Sequence, residues 1–455
     1  MKTGIRSSAL LRRAWAPGIN LLCMTGLLLL TSRAPATGAW TLERAIGFAL
    51  TNSPDARIAQ MRITAARAGL EQADSALWPK LQLQSSYTRT DNPMLVFGSI
   101  LAQRAYNYSS PPNFNDLPST DDLNVRGIVT QPLYAGGRIA ASRDVARAGS
   151  EAARADAEAV RNALAFEVSR TFLNVLKTRD FIRAAEAGLQ SFQNNLVIAS
   201  NRVEAGTSLR TDVLDMQVRV AQSREDLVRA RNANALTVQA LEDLLGIDGT
   251  EFEVADSAPT MAVPAGDDFS GRAELNSARQ QQRAAEAQVR QARSGYLPRL
   301  SAFGSLDYDY GWVTGGDGQS YTAGALLQWD LWDGKLTRGR VNEARANLEA
   351  AREMERKVQL AINLEVKQAR LELQSASERL AVSQASVAQA EESQTLTRSR
   401  FGQGLALSTQ LIDADNALIS ARVRRAEAEA DQRIAIAALR KALGLPQLNP
   451  APETR

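Results

Sequence analysis

The chain contains no histidine, and its single cysteine, Cys23, lies in an apolar run near the N-terminus. Those two facts remove most catalytic chemistry at once. Without imidazole there is no Ser-His-Asp or Cys-His relay and no histidine-ligated metal. Carboxylates remain as acids, bases or hard-metal ligands, yet no clustered Asp/Glu motif appears. Gly315-Gly316-Asp317-Gly318 lacks the Lys-Ser/Thr of a phosphate-binding loop and reads as a turn. No catalytic residue, cofactor or metal site is expected. The residues that do recur in a pattern are of another kind. Arg202, Gly206, Thr211, Asp212 and Asp215 are echoed by Arg400, Gly404, Thr409, Gln410 and Asp413. Their chemistry is that of helix ends. Glycine takes the left-handed cap where a long helix stops, and Ser208 and Thr211 are expected to cap the returning helix.

The elements that position these residues come from a duplication. Leu133-Tyr134-Ala135-Gly136 returns as Leu331-Trp332-Asp333-Gly334, 198 positions later. The same offset relates Ala146-Arg147-Ala148 to Ala344-Arg345-Ala346 and Ala240-Leu241…Gly246 to Ala438-Leu439…Gly444. Self-similarity at one ungapped offset marks repeated structural units. Upstream, Trp78-Pro79-Lys80-Leu81 pairs with Leu297-Pro298-Arg299-Leu300 at an offset of 219, so the first copy carries 21 extra residues. The segment Asp91–Asn124, rich in Pro, Asn, Asp and Ser, is expected to hold them as loop.

Each copy reads helix, strand, loop, strand, long helix, turn, helix. Residues 138–200 have no proline and abundant Ala, Arg, Glu and Leu. Val160, Leu164, Val168 and Val175 make a helical stripe, matched by Val358, Ile362, Val366 and Leu373. Such a helix is about 95 Å long, a length that belongs to coiled coils and bundles. Alternation predicts strands over 81–87, 125–134, 300–310 and 321–331, the second being the least regular. Ten-residue alternating segments with aromatic ends suit an outer-membrane barrel, although a soluble sandwich with one wet face alternates in the same way.

The first 36 residues carry Lys2, Arg6, Arg12, Arg13 and Arg33 and no acid. An apolar run from Ile19 to Leu30 follows, then Ala34-Pro35-Ala36 and Ala39, the pattern of a secretory signal cleaved after Ala36 or Ala39. About twelve residues are too few to span a bilayer, which takes roughly twenty. Leu21 and Leu22 precede Cys23, so lipidation there is not expected. Removal of the leader takes the net charge from +3 to −2, with 48 basic and 50 acidic residues left. The basic balance therefore argues for no nucleic-acid partner. The expected divisions are a signal peptide at 1–36, a first repeat at 37–246, a linker at 247–271, a second repeat at 272–446 and a tail at 447–455.

An exported chain with no later apolar helix crosses a membrane only as a closed barrel. Four strands are too few, since small barrels have about eight, so several chains must share one. Long helices attached to each hairpin would continue that barrel as a tube, a shape that suggests transport. The alternative is a soluble periplasmic coiled-coil scaffold with no transport role.

From Trp40 to Pro446 the sequence resembles the TolC-like outer-membrane efflux family. The resemblance rests on Leu133-Tyr134-Ala135-Gly136-Gly137-Arg138, Leu331-Trp332-Asp333-Gly334-Lys335, Arg202-Val203-Glu204-Ala205-Gly206-Thr207-Ser208 with Thr211-Asp212-Val213-Leu214, and Arg400-Phe401-Gly402-Gln403-Gly404, in their duplicated order. It implies an α+β fold: a twelve-stranded barrel made by a homotrimer in outer-membrane lipid, continued by a periplasmic α-helical barrel. It implies a periplasmic adaptor and an inner-membrane transporter as partners, and an exit duct for efflux or type I secretion. It also implies that 247–271 is an equatorial segment. By the same resemblance the turns carrying Arg202, Gly206, Thr207, Ser208, Arg400 and Gly404 form the tip where the adaptor docks. Asp212, Asp215, Gln410 and Asp413 become candidates for a constricted aperture, with Gln410 standing where the family pattern has an acid.

Overall fold

The computed structural model describes residues 39–111, 113, 116–247 and 253–448. The expected leader and residues 449–455 of the tail lie outside the described residues. In chain order the elements are α1 (Leu42–Asn52), α2 (Pro54–Ser75), β1 (Lys80–Thr90), α3 (Pro93–Ala102), β2 (Thr120–Tyr134), α4 (Arg138–Glu204) and α5 (Arg210–Leu245). The second half holds α6 (Ala273–Arg293), β3 (Arg299–Tyr310), β4 (Asp317–Gln328), α7 (Leu336–Gly402) and α8 (Ser408–Ala442). The duplication is visible in the helix bounds. Helices α4 and α7 have 67 residues each, and both ends keep the offset of 198. Each is about 100 Å long at 1.5 Å per residue.

Helix α4 is the centre of the packing. Its first half meets α2 and α6, tied by Arg143 to Asp74 and by Arg290 to Asp144. Its second half meets α5 and α8. The expected stripe is core: Leu164, Val168 and Val175 pack with Leu42, Phe172, Leu241 and Leu245. In the second copy Ile362 and Val366 pack with Leu275, Leu439 and Leu443, with Val358 and Leu373 beside them. Each fully buried Leu or Phe contributes about 1.5–3 kcal/mol. Much of the remaining core is alanine, including Ala141, Ala148, Ala152 and Ala157 on α4, which lets the helices approach closely. Residues 253–271 run past the middle of the long helices. Arg179 of α4 holds the Val254 carbonyl at 2.7 Å, Met261 packs on Leu173 and Ala437, and Arg370 of α7 holds the Gly266 carbonyl at 2.7 Å. Arg440 is buried with the Ala262 and Pro446 carbonyls as acceptors, and burial pushes its guanidinium below the usual arginine range.

The four strands form one antiparallel sheet in the order β1-β2-β3-β4. The register stacks like on like. Leu83, Gly127, Leu306 and Tyr321 make one row, and Leu81, Val129, Gly304 and Ala323 another. On the other face Gln84 and Arg126 line up with Asp307 and Ser320. Three expectations need correction. Strand β2 begins at Thr120, five residues before Val125, because Thr120, Asp122 and Asn124 alternate onto the polar face in a stretch that the sequence reading took for loop. Strand β4 spans Asp317–Gln328 rather than 321–331, since its pairing is fixed by the hairpin at Gly315 and not by the aromatic residues beyond it. Within the insertion, Pro93–Ala102 is a helix, with Asn92 capping the Met94 amide at 3.1 Å. The register of β2 shifts between Pro132 and Tyr134, where proline offers no donor to the ladder.

Candidate functional site

The two turns predicted from the repeated glycines lie side by side at one end of the helices. Gly206 has φ of 71° and Gly404 of 81°. In the first turn the Gly206 amide donates to Val203 at 3.0 Å and the Thr207 amide to Arg202 at 2.9 Å. In the second, Gly404 donates to Phe401 and Leu405 to Arg400, at 3.0 and 2.8 Å. This paired pattern satisfies the last carbonyls of each long helix and needs the left-handed residue that glycine supplies.

The expected caps are not used. The residue at the start of α5 is Leu209, and its amide is held at 3.1 Å by the carboxylate of Asp212. In the second copy Leu407 is held in the same way by Gln410 at 3.1 Å. Ser208 and Thr211 therefore do not cap α5. A side chain reaching back from the third helical residue satisfies the same orphan amide. The hydroxyl of Ser208 is spent on Asp212, at 2.5 Å.

Asp212 joins the turns as well. Its other oxygen accepts from the Ser408 hydroxyl at 2.7 Å. Hydrogen bonds from Ser208 and Ser408 hold its carboxyl below the usual carboxylate range, with Arg202 adding a smaller push. Arg202 crosses in the same direction, donating to the Phe401 carbonyl while its guanidinium lies 4.8 Å from the Phe401 ring centre. It also holds the Thr207 carbonyl at 3.2 Å. Arg202 and Asp212 are thus committed to a stitch between the two turns. Thr207, Arg400, Gly206 and Gly404 are exposed, as are Asp215, Gln410 and Asp413. Asp413 lies in the second turn of α8, beyond the first-turn amides that would favour a carboxylate.

Behind the turns lies a feature that the sequence reading missed. Asp415 is 2 % exposed in a core of Phe192, Met216, Phe401, Leu411 and Ile412. Three neutral donors converge on it: Ser191 at 2.9 Å, Asn195 at 2.5 Å and Gln394 at 2.9 Å. The node ties α8 to both long helices. A legible signal existed, since Asp415 interrupts an apolar stripe of Leu411, Ile412 and Leu418.

At the other end of the molecule the sheet carries the marks of a membrane band. Tyr87, Tyr310 and Trp312 cluster at its hairpin end, with ring centres 5.2 and 5.7 Å apart. Trp78, Tyr134, Tyr296, Trp329 and Trp332 crowd the helix end, all of them exposed. Nine residues of tilted strand separate Trp78 from Tyr87, a height of about 24 Å at a tilt of roughly 40°. That matches the apolar belt of an outer-membrane barrel flanked by aromatic girdles. Between the girdles Leu81, Leu83, Leu306 and Tyr321 are all more than two-thirds exposed. Among the described residues no helix is long and apolar enough to cross a membrane.

The model of one protein family, described as outer membrane efflux protein, matches residues 45–247 and 270–445. The alkaline protease secretion protein AprF of Pseudomonas aeruginosa is 24% identical over 61% of the chain, a match spanning 60% of AprF. The pyoverdine export outer membrane protein OpmQ of Pseudomonas putida is 25% identical, covering 89% of the chain and 85% of OpmQ. Among solved structures, the outer-membrane channel OprN superposes with a TM-score of 0.76 at 21% identity over 89% of both chains. The open state of the Neisseria gonorrhoeae MtrE outer membrane channel gives 0.76 at 16% identity, again over 89% of both.

Proposed function

The chain belongs to the outer membrane efflux protein family, and from that premise we propose that three copies close head to tail into one duct. The duct spans the outer membrane as twelve strands and continues into the periplasm as a tube of helices. The observation that carries this reading is a match between the two sides of the chain. The sheet ends on β1 at one side and β4 at the other, and among the described residues neither edge is paired. Unpaired edges are not tolerated in lipid. Below β4, helix α7 leaves Leu360, Leu364, Leu371, Val382 and Leu396 exposed along one helical face. Below β1, helix α5 leaves Leu214, Val218, Val228 and Leu236 exposed along one face of its own. Ring closure pairs β4 with the next β1 and sets the α7 stripe against the next α5, a heterologous contact that closes by rotation.

In this reading the duct is the exit of a tripartite efflux pump or a type I secretion system, with a periplasmic adaptor and an inner-membrane transporter as partners. Arg400, Thr207, Gly206 and Gly404 present the exposed surface that an adaptor meets. Arg202 and Ser208 shape that surface from within. Asp413 and Asp215 are exposed carboxylates near the tip, whereas Gln410 holds the Leu407 amide and Asp212 is already bound to Ser408. Three copies of Asp413 near a common axis favour cations. Asp413→Ala should lower cation selectivity in planar-bilayer recordings, and Gln410→Asp should raise it. The function itself is tested by deleting the gene and measuring export. Restored export by the intact chain, and none by Gly206→Trp that still inserts as trimers, is the expected outcome. Release of the protein by osmotic shock without detergent would favour the scaffold instead.

A further inference from the structure

Helix α3 is the part of the chain that the duct reading leaves without a task. It lies at the hairpin end of the sheet, opposite the long helices, and two observations place it on the polar face. The first is Gly318, in register with Asp309 on that face. A side chain there would meet the Ala102 carbonyl at 1.8 Å, so the end of α3 sits directly over it. The second is Gln103, which is fully buried and donates to the side chain of Asp122, another polar-face residue, at 2.9 Å. Gln103 also donates to the Asp121 carbonyl at 2.7 Å and accepts from Thr314 at 2.5 Å. Arg104 holds the Gln319 carbonyl at 2.9 Å. Ten residues of helix reach about 15 Å, the width of the three strand spacings between β1 and β4 at about 4.8 Å each. The helix starts three residues past the end of β1, meets β2 and ends over Gly318 of β4, so it lies across the strip of wall that one chain contributes.

Its exposed side is apolar, and α3 has no charged residue. Val96 faces the wall with no exposure. On the opposite side Met94 is 81 %, Leu95 56 % and Leu101 47 % exposed, around Gly98, which has open space beside it. Such a face stays dry only against another apolar surface. In a closed twelve-stranded barrel the polar face looks inward, so what lies in reach of α3 is other copies of α3. The dimensions fit. Twelve strands at about 4.8 Å spacing and a tilt of roughly 40° give a wall radius of about 12 Å. A helix with its side chains is about 10–12 Å across. Three such helices laid on the wall reach the axis together.

We propose that α3 is a lid: the three copies meet through Met94, Leu95 and Leu101 and seal the outer mouth against water. The proposal rests on the trimeric duct. Outgoing cargo displaces the lid from below, and the Gln103 clamp on Asp121, Asp122 and Thr314 returns it. An apolar constriction of this kind gates by excluding water.

The test uses the whole channel in intact cells, with a thiol reporter on the lumen face below the lid at Thr322→Cys. A membrane-impermeant charged maleimide added outside should label it slowly. Adding Met94→Asp and Leu95→Asp should accelerate labelling at least tenfold. Equal rates in both proteins, each shown to be trimeric by mass, would overturn the lid. A second variant guards against misfolding of the charged helix. Leu95→Cys alone should form oxidant-induced crosslinks between chains, and an intact trimer without such crosslinks also overturns the lid. A monomeric mass for the unaltered channel would overturn the trimer, and the lid with it.

Discussion

Substitution of Asp415 by alanine tests how the tip is held together. Its carboxylate accepts from Ser191, Asn195 and Gln394, and all three would lose their acceptor. Ser191 is half-buried and can turn to water, but Asn195 is fully buried and Gln394 nearly so. Each stranded buried donor costs about 1–3 kcal/mol. Gln394 keeps a long bond to the Ser191 hydroxyl at 3.5 Å and water can enter the vacated space, so the two together give about 2–4 kcal/mol. Asn195 enters this change already holding an unpaired oxygen, so the site has no reserve. Since about 1.4 kcal/mol is a factor of ten, local opening of α8 should become roughly 30- to 1000-fold more frequent. Hydrogen exchange by mass spectrometry on peptides covering 408–422 and 188–200 reads this directly. Asp413→Ala, which removes an exposed carboxylate one turn-face away, should change the same peptides less than twofold. Exchange in Asp415→Ala within threefold of the unaltered protein would refute the reasoning, because the three bonds would then carry no net stability.

Further outcomes follow from the same end of the molecule. Gly404→Ala should fray the second turn by about 1–2 kcal/mol, because alanine resists the left-handed backbone, and exchange at 400–408 should show it. Gly188→Ala brings a methyl within 2.5 Å of Ile419 on α8, so it should destabilise the α4–α8 contact, and Ile419→Ala should restore it. Asp212 is held below its ordinary range by Ser208 and Ser408. A depressed carboxyl stabilises the fold at neutral pH and loses that contribution as pH falls through its folded value. Spin labels on the two turns should keep one distance from pH 8 to 5 and separate only below about pH 4; a change between pH 7 and 5 would contradict the stitch.

Much of the architecture was legible in the residues because the chain repeats itself. An offset found in four-residue motifs reappears as helix bounds, since the same sequence signals start and stop each copy. The apolar stripe from Leu164 to Val175 gave the core face for the same reason. The misses share a different cause. Helix α3 was hidden because its ten uncharged residues sit inside a window whose Pro, Asn, Asp and Ser set the average. Leu209 and Leu407 are poor caps by residue type, and only the third helical residue reaching back explains why they serve. Asp415 has partners 224, 220 and 21 residues away. Its counterpart by the repeat is Gln217, so the duplication gave no hint.

The number of chains that make one duct is the decisive quantity. Native mass spectrometry of the channel extracted from outer membranes in mild detergent measures this without reference to cargo or partner. The proposed duct predicts three chains per particle, joined β4 to β1 and α7 to α5, with charged substitutions at Leu364 and Leu371 weakening the assembly. A stable monomer that remains folded in detergent would leave two open sheet edges in lipid and would contradict the duct.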